Sequence, residues 1–256
     1  MGARENILLI RLKSIGDVVF TLPAVRGLRE NFPEAKFHFL VSKFNAPLLL
    51  GFSEIDEVIP FDRAAFHSKS IPAVCAGAFR LIRGLRRENF SLVIDFQGYG
   101  ETAWLSWLSG APERWGDVQR GSRAWAFTAG LSRNVTIHPA EWNLALLQQC
   151  GLQVGEVRNE YRVPEDALAE AGKFFATNSL DPARPTLFLQ PFTSSPHKNW
   201  PLENFLELAR HFQLRGAQII FGGGPSERAA LAPARAAGFV VAAGAPLNQL
   251  SHAVSP

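Results

Sequence analysis

Residues 7–12 (ILLIRL) form a nearly unbroken apolar run, which stops at Lys13-Ser14-Ile15-Gly16-Asp17. Apolar residues then return with helical spacing at Val18, Leu22, Val25 and Leu28, giving a helical reading over 17–30. A strand that is apolar at almost every position has no wet face. It must be covered on both sides, as in a parallel sheet packed between helices. Short β-rich runs recur at 36–41, 57–62 and 91–98, and the segment 71–89 between the last two is helical in pattern. This β-α-β succession predicts a doubly wound α/β sheet.

Residues 99–180 read as mostly helical, including 141–152 and 165–178. A second alternation follows: a strand at 186–190, a helix at 202–216, a strand at 217–224, a helix at 226–238 and a strand at 239–244. The Pro-rich, charged stretch 181–186 (DPARPT) reads as a linker, dividing the chain into domains 1–180 and 181–256. Beyond the last strand there is only one more helical start, at 247–254. A sheet of about three strands falls short of the five or six usual in such folds. The second domain is therefore expected to be incomplete and the sequence a piece of a longer protein. A small second domain is the alternative.

A chain of 256 residues that is 47% hydrophobic and 19% charged can build two separate cores. Its net charge of +3 suits anionic substrates or an anionic membrane surface and is too weak to indicate nucleic acid. Cys75 and Cys150 are far apart with no CxxC, so neither a disulfide framework nor a metal site is expected. No apolar stretch reaches the ~20 residues of a membrane span, and the N-terminal run is too short for a signal peptide. The expected location is cytoplasmic, with peripheral contact at the inner membrane as the most that the sequence suggests. The six histidines are scattered with none at i, i+4, and neither HExxH nor GxSxG occurs. No motif calls for a cofactor, a metal or a divalent ion.

Four loops carry candidate chemistry. At 13–17, Gly16 alone does not make the G-x-G-x-x-G of a dinucleotide loop, which argues against an NAD-dependent dehydrogenase. Asp17 there is either a helix cap or a general base at the carboxyl end of a strand. At 94–98 (IDFQG), Asp95 and Gln97 either cap their loop or meet a polyhydroxylated ligand. At 193–201 (TSSPHKNWP), hydroxyls, helix-start amides and Lys198 form either a diphosphate cradle or a polar surface loop. At 222–228 (GGGPSER), three glycines allow a close approach or an ordinary turn, and Glu227 either binds a ribose hydroxyl or sits in a first helical turn. Arg80, Arg83 and Arg87 share a helix face, either a solvated surface or one meeting an anionic acceptor or membrane.

The segments at 7–41, 92–98, 141–152 and 189–227 together resemble glycosyltransferase family 9, the bacterial heptosyltransferases of lipopolysaccharide core synthesis. The "GD" at 16–17 and the "K-x-W-P" at 198–201 are the most specific parts. The resemblance implies the GT-B architecture, two Rossmann-like domains facing a cleft. It also implies inverting transfer of a heptose from ADP-heptose to a lipid A–Kdo or inner-core acceptor. On that footing Asp17 is the base that deprotonates the acceptor. Lys198 contacts the donor phosphates, with Thr193 and Ser194 beside them, and Glu227 bonds the ribose. Gly16, Asp95 and Gln97 lie on the acceptor side. The family also carries a D-S/T-G-x-x-H segment that these residues do not contain, which adds to the expectation of a longer parent protein. Two alternatives stand beside this reading: another GT-B nucleotide-sugar enzyme (a different donor, or an epimerase), and a truncated non-catalytic member that binds acceptor.

Overall fold

The computed structural model describes residues 6–62, 71–117, 121–132, 134, 136–156, 161, 163–193 and 195–244. Ser194 and the helical start at 247–254 lie outside the described residues. The chain divides into two compact units, Met1–Arg162 and Val163–Pro256. This division falls before the Pro-rich stretch at 181–186, so the helix at 165–177 goes with the second unit. Asp181 is tied into that unit by Gln218. Its amide donates to Gln218 Oε1 at 2.7 Å, and its carbonyl accepts from Gln218 Nε2 at 2.8 Å.

The first unit runs β1 (Asn6–Ile10), α1 (Ile15–Val19), α2 (Leu22–Asn31), β2 (Lys36–Ser42), β3 (Glu57–Phe61), α3 (Ile71–Arg87), β4 (Leu92–Asp95), α4 (Gly100–Leu108), β5 (Glu113–Asp117), β6 (Ala129–Leu131) and α5 (Pro139–Gln149). Its six strands are all parallel, in the order β3-β2-β1-β4-β5-β6. Alternate residues of β1 supply the two faces. Ile7 and Leu9 pack with Leu22, Val25 and Leu28 of α2 and with Leu146 and Leu147 of α5. Leu8 and Ile10 pack on the other side, with Leu81 and Leu85 of α3 and Leu105 of α4. All four β1 side chains are fully buried, each worth roughly 1.5–3 kcal/mol.

The single helix expected over 17–30 is two helices, α1 and α2, broken at Phe20 and Thr21. Pro23 lies in the first turn of α2, where its missing N–H is harmless; inside a continuous helix its ring would meet the carbonyl of residue 19. Two strands, β5 and β6, occupy the stretch that reads as helical from 99 onward. Their sequences, ERWGD and AGL, carry charges and glycines in place of an apolar run, so the periodicity does not reveal them. Pro60 sits in β3, an edge strand, where its missing donor breaks no internal ladder.

The second unit contains α6 (Glu165–Thr177), β7 (Thr186–Leu189), α7 (Leu202–Gln213), β8 (Gln218–Gly223), α8 (Ala232–Ala236) and β9 (Val240–Ala243). Its described strands form a parallel sheet in the order β7-β8-β9. Leu189, Ala209, Ile219, Phe221, Leu231, Ala234 and Phe239 make its core. A Cβ on Gly222 would overlap the Phe188 ring and lie 2.8 Å from Gln190 Oε1, while one on Gly223 would lie 2.7 Å from Leu231 Cδ1. Packing inside the sheet requires glycine at both positions. Gly222→Ala is expected to destabilise the second unit by about 1–3 kcal/mol through overpacking, read from its urea unfolding midpoint.

Candidate functional site

In the first unit the strand order reverses between β1 and β4: the chain runs outward through β2 and β3 on one side and through β5 and β6 on the other. In open α/β sheets the crevice at the carboxyl ends of such a pair is where ligands bind. The loops that leave β1 and β4 there carry Arg11, Lys13, Gly16 and Asp17 on one side and Asp95, Gln97 and Tyr99 on the other.

Asp17 is the third residue of α1, and Ser14 is the cap. The Ser14 amide and hydroxyl both donate to Asp17 Oδ2, at 3.0 and 3.1 Å. Arg11, at 5% exposure, directs its Nη2 to Asp17 Oδ1 at 2.7 Å and its Nη1 to the Phe96 carbonyl. The Asp17 side chain is 31% exposed. Partial burial pushes its carboxyl up, but the Ser14 amide, the Arg11 charge and the Ser14 hydroxyl together outweigh that, and the group stays below the ordinary aspartate value. Asp17 is thus an anchored, ionised carboxylate with one side turned to solvent. Capping and display coexist in it.

Asp95 and Gln97 are buried, at 0% and 2% exposure, so neither reaches the surface in this arrangement. Asp95 Oδ1 accepts from the amides of Gln97 and Gly98 at 2.9 and 3.0 Å, and Gly98 takes the left-handed conformation with φ of 67°. Gln97 Oε1 in turn accepts from the amides of Leu12 and Lys13 at 2.8 and 3.2 Å. The β4 loop therefore holds the β1 loop in shape, in keeping with the loop-capping reading of these two residues. Gln97 Nε2 and Asp95 Oδ2 are buried with no hydrogen-bond partner among the described residues. Burial pushes the Asp95 carboxyl up to about 6, against the pull of the nearby Thr102 hydroxyl, the Gly98 and Gln97 amides and the Arg11 charge. Lys13 Nζ lies 5.7 Å from the centre of the Tyr99 ring, a contact joining the exposed rims of the two loops.

Arg11 does not stand out in a reading for chemistry because it sits inside an apolar run. The available signal is that a charge in a doubly covered strand must have a buried partner.

In the second unit the carboxyl ends of β7 and β8 carry the other candidate residues. The Thr193 amide donates to Asn199 Oδ1 at 2.8 Å. The Thr193 hydroxyl lies 2.9 Å from both that oxygen and the Ser195 carbonyl. The Lys198 amide donates to the Ser195 carbonyl at 2.8 Å, closing a short turn over Pro196–Lys198. The Lys198 side chain is exposed, and among the described residues no carboxylate pairs with it. Glu227 Oε2 accepts from the Gly224 amide at 2.7 Å and from Gln190 Nε2 at 3.3 Å. That second contact brings the β7 and β8 loops together. Asn199 and Gln190, which the sequence does not single out, are thus the residues that organise Thr193 and Glu227. Among the described residues, no three His, Cys, Asp or Glu side chains form a group able to hold a metal ion.

Residues 78–253, more than half of the chain, match the family described as glycosyltransferase family 9 (heptosyltransferase). The chain belongs to glycosyltransferase family 9. Among curated members of the family it is 24% identical over 229 residues to the lipopolysaccharide core heptosyltransferase OpsX of Haemophilus influenzae, covering 88% of this chain and 62% of that protein. It is 25% identical over 255 residues to lipopolysaccharide heptosyltransferase 1 of Pseudomonas aeruginosa, covering 96% of this chain and 68% of that one. The family 9 structure from Veillonella parvula superposes with a TM-score of 0.85 at 22% identity, covering 97% of this chain and 72% of that one. The Escherichia coli heptosyltransferase WaaC with ADP superposes with a TM-score of 0.76 at 22% identity, covering 96% and 78%. The expected GT-B fold class agrees with these family 9 structures.

Proposed function

We propose that this chain supplies the acceptor-side base and the donor-phosphate contacts of an inverting glycosyltransferase. It would move a heptose from ADP-heptose to a lipopolysaccharide inner-core acceptor. The observation that carries the reading is Asp17: an ionised, half-solvated carboxylate clamped at the switch point of a family 9 chain. ADP comes into the proposal from the WaaC structure's own description, and lipopolysaccharide from the curated relatives' names.

The chemistry follows from the residues. A carboxylate held below its ordinary pKa is too weak to ionise a sugar hydroxyl in advance. Asp17 takes the proton as the acceptor oxygen bonds to the anomeric carbon and grows acidic. Two of its oxygen sites are held by Ser14 and one by Arg11, which leaves a lone pair for the acceptor O–H. On the opposite side the bond from the anomeric carbon to the diphosphate breaks, and its electron pair leaves with ADP. Lys198 would offset that charge, with Thr193 and Ser194 as further phosphate contacts and Glu227 as the ribose contact. Gly16 lies next to Asp17 on the acceptor side, and Asp95 and Gln97 hold that loop in shape.

Calorimetric titration of ADP and UDP tests the donor half. ADP binding is expected to weaken about tenfold in Lys198→Ala, the size of one charged hydrogen bond. Preference for UDP would favour a different nucleotide-sugar enzyme, and equal ADP affinity in wild type and variant would remove Lys198 from the site.

A further inference from the structure

The outer layer formed by α3 and α4 has a surface that the transfer chemistry does not use. On α4, Trp104 and Trp107 are three residues apart on the outward face, 53% and 47% exposed, and Trp125 leans against them at 46% exposure. The three rings pack mutually, with centroids 4.5 Å (104–125), 5.8 Å (104–107) and 6.1 Å (107–125) apart. Neighbouring α3 covers the same side of the sheet and is joined to the end of α4 by Arg86 Nε donating to the Leu108 carbonyl at 2.9 Å. Its 17 residues contain four arginines and not one acid. Arg80, Arg83 and Arg87 are exposed, and among the described residues no carboxylate pairs with them. Phe79, on the same helix, is 63% exposed.

A solvated helix face normally mixes both signs of charge, and three half-exposed tryptophans in contact form a patch that monomeric proteins rarely leave in water. Tryptophan with a polar N–H at the rim is the side chain of the membrane–water boundary, and an all-positive helix complements anionic headgroups. We propose that the outer face of α3 and α4, with Trp125, docks on an anionic bilayer surface. The patch continues into the candidate site, because Arg123, two residues before Trp125, donates from Nη1 to the Gly98 carbonyl at 2.5 Å. Docking therefore bears on the loop that braces Asp17. No described helix is long and apolar enough to cross a membrane, so the contact is with the surface.

The test is co-sedimentation of the chain with phosphatidylcholine vesicles, with and without phosphatidylglycerol, across a salt series. Wild type is expected to bind the phosphatidylglycerol vesicles and to release as salt rises. The variant W104A/W107A/W125A is expected to bind at least about tenfold more weakly. The variant R80Q/R83Q/R87Q is expected to lose about fivefold per arginine, together with the lipid preference. Far-UV circular dichroism and the urea unfolding midpoint report that each variant is folded. The proposal is overturned if wild type ignores anionic vesicles, or if both variants bind as wild type does. It is also overturned if light scattering shows a dimer that the triple-tryptophan variant abolishes, since the patch would then belong to a second copy. None of these readouts depends on ADP binding or turnover.

Discussion

On the proposed assignment, Asp17→Asn is expected to lower heptose transfer from ADP-heptose to a lipid A–Kdo acceptor by about 10²–10⁴-fold in kcat, the range attributed to a positioned proton acceptor. An asparagine oxygen can still take the Ser14 amide, so the start of α1 keeps its cap, but it cannot accept the acceptor's proton. The same change removes the anion facing Arg11, which is only 5% exposed. Breaking a fully buried pair costs about 3–5 kcal/mol; the 31% exposure of Asp17 reduces this, because water still reaches the pair. Stability and rate must therefore be read apart. Asp17→Glu keeps the charge beside Arg11 while moving the carboxylate, so it should recover most of the stability and little of the rate. In the wild type, the Ser14 amide and the Arg11 charge hold the Asp17 carboxyl below its ordinary value, so the acid limb of kcat/KM belonging to it should lie below that of an ordinary aspartate. An Asp17→Asn protein that transfers within about tenfold of wild type would remove Asp17 from the chemistry.

The second large effect concerns Asp95. Its carboxyl titrates at about 6 in the folded chain against an ordinary 3.8. Between those values the folded protein holds a proton that the unfolded chain has released, so the contribution to stability is complete below about pH 4 and disappears as pH rises through about 6. At 1.36 kcal/mol per unit this amounts to about 3 kcal/mol, undiminished by solvent because the group is fully buried. Asp95→Asn keeps an Oδ1 for the Gln97 and Gly98 amides and has nothing to titrate. Its stability relative to wild type should therefore climb by about 3 kcal/mol between pH 4 and pH 7. Urea unfolding followed by tryptophan emission, to which the buried Trp115 and Trp142 of the first unit contribute, measures this difference. A difference that stays flat across that range would mean that Asp95 is ionised throughout.

The elements that the sequence announces are those whose burial is written into consecutive residues. β1 is apolar on both faces because helices cover both, and β2, β4 and β8 show the same pattern. β5 and β6 are invisible because each is short and carries Gly or charge. Asp17, Lys198, Thr193 and Glu227 are legible as candidates because each follows a recognisable strand. Asp95 caps its own loop, one of the readings that the sequence allows, but what Gln97 does is hidden, because a side chain that bonds a backbone amide 85 positions away leaves no local signature. Only pairing β1 beside β4 brings Gln97 under Leu12 and Lys13. Arg11 is missed for a related reason: its partner is fixed by a helix start and a neighbouring strand, not by spacing.

The brace between Gln97 and the β1 loop spans 85 positions of chain. Closing so long a loop costs entropy before any contact repays it, and non-local contacts of this kind are among the last to become profitable as a chain orders. During synthesis, β1, β2 and β3 can associate as soon as they emerge, yet the Leu12 and Lys13 amides lack their Gln97 acceptor until residue 97 has been made. The loop that carries Asp17 thus takes its final shape only when the central sheet has joined across its midline. A permuted version of this chain that separated β1 from β4 at the ends should keep the fold's outline longer than it keeps the shape of that loop.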